Sequence, residues 1–137
     1  MPLGRRVNKE VMEMYEADQR LADTYKDRLA EAAEAEKALR AAETEGRDAE
    51  LHELAIAFDK ALTEVLLAAE AAERVAAGTK TYVPESADAK TRRAAEIARR
   101  KAKARPAVTP LTGEVDRLRT AREQHRMAFR VRPATIV

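Results

Sequence analysis

Apolar positions along this chain recur at steps of three and four, the spacing that brings side chains onto one face of a helix. From Asn8 to Glu45 there is neither Pro nor Gly. Val7, Val11, Met14, Leu21, Leu29, Ala32 and Leu39 lie three, four, seven or eight apart, and Tyr25 falls on the same stripe. The pattern predicts one long helix, capped by Asn8, with coiled-coil spacing. Asp18 sits on the stripe where an apolar residue is expected, and reads as a solvated or register-setting polar position.

Gly46 suits the residue just past a helix end, where φ is positive, and Asp48 suits the N-cap of a second helix. That helix carries Leu51, Leu54, Ala55, Phe58, Leu62, Val65, Ala69, Ala72 and Val75, and stops at Gly78. The segment "TEGRD" therefore predicts the tight turn of a long antiparallel helical hairpin, coiled-coil-like, with arms of ~57 Å and ~45 Å. Both arms have alanine-rich seams, such as Ala32, Ala35 and Ala38 facing Ala61, Ala68 and Ala72. Small side chains let helix axes approach closer than the usual ~8–10 Å.

Residues 79–87 break the pattern. Tyr82-Val83-Pro84 predicts extended chain, since the residue before Pro avoids the helical region. Ser86 or Asp88 then caps a third, basic helix running to about Ala104. Pro106 and Pro110 bracket "PAVTP", predicted as an extended connector. A fourth helix starts at Thr109-Pro110, or at Thr112 because Gly113 weakens the first turn, and runs to about Phe129. Val115, Leu118, Ala121, Arg122 and His125 mark its inner face. The closing "RVRPATIV" reads as an extended arm. The chain divides into residues 1–78, an N-terminal arm plus the hairpin, and residues 79–137, the basic helix, connector, last helix and arm, as one structural unit. The fold class is all-α.

Composition qualifies this picture. Of 137 residues, 30 are alanine, only 2 are Phe and none is Trp. Alanine buries little area, so a two-helix core of this kind is thin and calls for further helices, from this chain or from other copies. A 36% share of charged residues fits long helices better than a compact globule. With no Cys there is neither a disulfide nor a thiolate metal site. No apolar run reaches the ~18–20 residues that span a bilayer, and "MPLGRRVNKE" lacks the apolar stretch of a secretory signal. The expected setting is the cytoplasm, or a virion if the chain is phage-encoded.

Charge is split unevenly. Residues 1–78 hold 11 Lys/Arg against 18 Asp/Glu, a net of −7, and residues 79–137 hold 15 against 6, a net of +9. Halves of opposite sign attract each other, within one chain or between copies.

Catalysis has little to work with. The histidines are His52 and His125, and the residues three places before them are Ala49 and Arg122, so the Glu-x-x-His signature of di-iron bundles is missing. No HExxH, phosphate-loop or dinucleotide fingerprint occurs. Carboxylates such as Glu31, Glu34 and Glu36 read as a solvated helix face. The sequence calls for no catalytic residue, metal or cofactor, and predicts a protein that is not an enzyme.

The sharpest feature is "TRRAAEIARRKAKAR", Thr91 to Arg105, with seven basic residues and one acid. Arg92, Arg93, Arg99, Arg100, Lys101, Lys103 and Arg105 form the candidate contact surface. Such a helix can neutralise phosphates, with binding that falls steeply with salt. It carries no Asn or Gln for reading base edges and no aromatic for stacking, so any nucleic-acid binding is expected to be non-specific. A large apolar face for lying on a membrane is absent too. Its other reading is the basic side of a protein contact, with carboxylates of this chain or of a neighbour opposite. The second feature is the C-terminal "FRVRPATIV", whose Phe129, Arg130, Val131, Arg132, Ile136 and Val137 are candidate arm contacts on a neighbouring subunit. "PLGRR" at the N-terminus is read in the same way.

The expectation is a structural protein that packs by helices and arms into a homo- or hetero-oligomeric complex, such as a phage head, connector or tail accessory component. The competing class is a non-specific nucleic-acid packaging or nucleoid-type protein using residues 91–105.

Overall fold

In a computed structural model, residues 2–129 are described, with side chains from Asn8 onward. The described chain is all-helical: α1 (Pro2–Ala22), α2 (Tyr25–Thr44), α3 (Asp48–Ala77), a 3₁₀ turn (Thr79–Thr81), α4 (Ala89–Lys103) and α5 (Thr109–Phe129).

The helix predicted as continuous from Asn8 to Glu45 is two helices set nearly end to end, and Thr24 is the cause. Its hydroxyl donates to the Leu21 carbonyl at 2.6 Å, and its backbone N–H reaches the same oxygen at 3.1 Å. A Thr that bonds back to the preceding turn competes with the regular ladder and bends the helix. Thr24 keeps helical dihedrals (φ −83°, ψ −3°), so the chain resumes at once from Tyr25. The first helix also begins at Pro2 rather than Asn8. Proline suits a first turn, where its missing N–H would find no partner anyway. The "PLGRR" backbone is thus helical and continuous with the rest of α1.

Between α2 and α3 the turn is closed by two backbone bonds. The Gly46 N–H donates to Glu43 O at 3.3 Å and the Arg47 N–H to Ala42 O at 2.9 Å. This pair is the Schellman pattern, and it needs the positive φ of +68° that Gly46 supplies. Asp48, expected as the N-cap, is instead the first helical residue, and Arg47 holds the cap position. Asp48 and Glu50 then place acids in the first turn, where the helix dipole favours them.

α3 is the central element; α1, α2 and α5 all pack on it. Cross-helix pairs show that α2 and α5 both run antiparallel to it. Arg28 meets Glu64 and Leu39 packs against Phe58, while Arg119 meets Glu70 and Arg126 meets Asp59. One core cluster joins Ala32, Val65, Leu66, Ala69, Val115 and Leu118 across three helices. A second groups Leu39, Ala55, Phe58 and Leu62, with Phe129 packed against it. Half of the buried apolar side chains among the described residues are alanines. Each contributes little transfer energy, so the bundle depends on close backbone approach and on its polar cross-links.

Two cross-links sit deep. Arg126 donates Nε to Asp59 Oδ1 at 2.6 Å and Nη2 to Oδ2 at 3.4 Å. His125 Nε2 donates to the Ala55 carbonyl at 2.7 Å, with its ring between Phe58 and Phe129 at centroid distances of 4.6 Å and 5.1 Å. On the expected inner face of α5, Val115, Leu118 and His125 are buried, while Ala121 and Arg122 are partly covered.

The connector "PAVTP" is not extended. The Arg105 N–H donates to Ala102 O at 2.9 Å and the Val108 N–H to Arg105 O at 3.0 Å, which curl it into consecutive turns. Val108 is fully buried and draws the segment inward. α5 starts at Thr109, without waiting for Thr112. Tyr82 is extended at φ −81°, ψ 136°.

Candidate functional site

α4 begins where Asp88 caps it. The Asp88 side chain accepts from the Thr91 N–H at 2.8 Å, and its own backbone is extended at φ −79°, ψ 176°. That bond to the Thr91 amide holds the Asp88 carboxyl below the usual carboxylate range. Ser86, the other cap candidate, instead donates to Glu10 at 2.5 Å and ties the preceding loop to α1.

The seven predicted basic residues do not form one surface. Arg92 donates to the carbonyls of Ala87 (3.2 Å) and Glu85 (3.1 Å). Arg99 donates to Thr81 O at 3.2 Å, and Arg105 to Ala77 O at 2.6 Å. Ala77 closes α3, so its carbonyl belongs to the last turn, which lacks intrahelical donors and carries the negative end of the dipole. Arg99 and Arg105 are struts that tie α4 and the residues just past it to the end of α3 and the turn that follows, and Arg92 braces α4 against the loop before it. Lys103 lies on the same side as Arg99, four residues on, and so away from the outer face.

The outer face is a different set. Ile97 is 54% exposed. At about 100° per residue, Lys90, Arg93, Arg100 and Lys101 fall within roughly 60° of it. All four are exposed. Arg100 bonds Glu96 on its own helix at 3.0 Å. Lys101 shares a shallow hollow with Lys80 and Arg105. Among the described residues no ion pair joins α4 to an acid of α1, α2 or α3, the carboxylates of this chain being one of the partners considered for it. Lys90 was outside the predicted surface, yet it stands seven positions before Ile97, a spacing readable in the sequence.

Several acids of the first three helices and the turn between α2 and α3 have other partners. Arg28 pairs with Glu31 and Glu64, Arg40 with Glu36 and Glu43, and Arg47 with Glu45 and Glu50. Asp18, expected to be solvated or register-setting, is a cross-link. It accepts from Arg74 Nε at 2.8 Å, Arg74 Nη2 at 3.0 Å and the Tyr82 hydroxyl at 2.6 Å. Burial alone would push its carboxyl up; the bonds from Arg74 and Tyr82 together outweigh that and hold it below the usual range. Burial and the Asp18 carboxylate push the Tyr82 phenol well up. Sequence reasoning missed this triad because its members lie 56 and 64 positions apart. The one local signal was an acid on an apolar stripe.

Phe129, a predicted arm contact, ends α5 and packs on the Leu39–Phe58 cluster of its own chain. Arg130, Val131, Arg132, Ile136 and Val137 lie outside the described residues. Among the described residues, no group of three acids or histidines is placed to hold a metal, and no helix is long and apolar enough to cross a membrane.

Fold and surface together define an all-helical bundle that presents one strutted basic helix. No protein family, no curated protein and no solved structure matches the chain.

Proposed function

We propose that the protein is a non-enzymatic assembly component whose outward α4 stripe docks on an acidic protein surface of a larger complex. One observation carries this reading. Arg99 and Arg105 each reach a backbone carbonyl of α3 or the turn after it and Arg92 the loop before α4, which leaves Lys90, Arg93, Arg100 and Lys101 in an outward stripe that, among the described residues, makes no ion pair with another helix. A pre-oriented charge array loses little entropy on docking. Exposed Ile97 at its centre supplies an apolar contact that a phosphate backbone does not use. A place in a virion head, connector or tail belongs to this class of function.

The nucleic-acid reading rests on the same four cations and is separated by the same variants. In Arg93→Glu/Lys101→Glu, neither side chain supports the fold, so the helical signal should be unchanged. Affinity capture from nuclease-treated extract of the source cells should lose a specific protein partner with this variant and keep it with Arg93→Lys/Lys101→Arg. Sequence-independent retardation of DNA at low salt, abolished by the charge reversal, would instead move the function to nucleic-acid binding. A folded monomer that retains neither protein nor DNA would refute both.

A further inference from the structure

Beyond the basic face lies a cleft between α1 and α4, of about 570 Å³. That volume falls within the ~300–1,000 Å³ of small-molecule sites. Its floor is largely apolar: Ala77, Tyr82 and Val108 are buried. Met14 and Ala17 form the α1 wall, both exposed along the opening. The far wall is Arg99 and Lys103 of α4.

The charges in the cleft are not balanced. Asp18 lines it but is already saturated by Arg74 and Tyr82. Glu73 also lines it. Opposite, Arg99 commits one Nη to Thr81 O and keeps its remaining donors, while the Lys103 ammonium has no hydrogen bond or ion pair among the described residues. The cations outnumber the acids that remain free to meet them, and they stand over an apolar floor. We infer that this cleft binds an amphipathic monoanion, with its carboxylate at Lys103 and Arg99 and its apolar body along Met14, Tyr82 and Val108. In a partly water-excluded cleft, a carboxylate bonded to an ammonium and a guanidinium gains more than it would in bulk water.

Sodium decanoate, decanol and decylammonium, titrated into the full chain, separate shape from charge. Decanoate should bind saturably at one site, shifting the Met14 methyl and Tyr82 ring signals in NMR spectra. Its affinity should exceed that of decanol by about tenfold or more, the value of one charge-assisted contact. Lys103→Glu should remove that advantage and leave decanol binding unchanged. Ala17→Trp, which projects into the cleft from an exposed position, should block all three ligands while the helical signal and melting temperature are retained. Equal affinities for decanoate and decanol, shifts away from Met14 and Tyr82, or indifference to Lys103→Glu would each overturn the proposal. So would an apparent affinity that weakens as protein concentration rises, because a second copy of the chain would then be the occupant.

Discussion

Arg126→Ala is expected to be among the most damaging single changes in the molecule, although the residue lies outside the basic helix. Asp59 is buried in the middle of α3, with its side chain 3% exposed, and among the described residues Arg126 is its one side-chain hydrogen-bonding partner. Truncating the arginine leaves a buried carboxylate without its cation. Breaking a buried pair in this way costs about 3–5 kcal/mol. A domain of this size has about 5–15 kcal/mol in total, so the loss takes about a fifth or more of it. Denaturant unfolding followed by helical circular dichroism measures the difference directly. The double replacement Asp59→Leu/Arg126→Met removes both charges and fills the space with apolar atoms. It should recover most of the loss, because the damage comes from the orphaned charge and not from a missing attraction. A loss below about 1 kcal/mol in Arg126→Ala, or a double variant no better than the single, would refute the account; the first result would mean that water reaches Asp59.

Three further outcomes follow from the same geometry. Tyr25 is pushed up to about 12 by burial, then by its 2.5 Å bond to Glu114, and burial with Asp18 pushes Tyr82 up as well. Both folded values lie above the unfolded ~10, so the stability they confer is full below that value and is lost as pH rises through the folded ones; at about pH 11 the native protein should show less tyrosinate absorbance than its denatured form. Asp18 shifts the other way: its folded value is below the unfolded one, so its contribution is present at neutral pH and lost as pH falls below about 4. Melting temperatures of wild type and Asp18→Asn should therefore converge on acidification, and a constant gap would disprove the linkage. Gly46→Ala meets no atom within 4 Å, yet must hold φ at +68°, so chemical denaturation should show a cost of about 1–2 kcal/mol that is purely conformational.

How much was legible in advance depends on the range of the interaction. Helical periodicity, the glycine at positive φ after α2, and the apolar faces of α3 and α5 are local, set by residues a few positions apart, and they can be read from the chain. The bend at Thr24 was also local but too small a signal, since one hydroxyl decided between the regular ladder and a bond to Leu21 O. The basic helix shows the limit on the candidate surface. Composition marked seven cations as equivalent, but a guanidinium beside a bare carbonyl becomes a strut, and the carbonyls of Ala77 and Thr81 come within reach only when α3 and the turn after it are folded.

By itself, the sequence determined that this chain is helical, poor in large apolar side chains, split in charge and equipped with one cationic helix. Periodicity and composition are enough for that, because helix formation and net charge depend on near neighbours or on none. Only the tertiary structure decided that Asp18 and Asp59 are cross-links, that Phe129 belongs to the core, and that Lys90, Arg93, Arg100 and Lys101 face outward while Arg99 and Arg105 hold the helix in place. Those assignments depend on which groups meet across the bundle, and the meeting partners are 56 positions apart for Asp18 and Arg74 and 67 for Asp59 and Arg126.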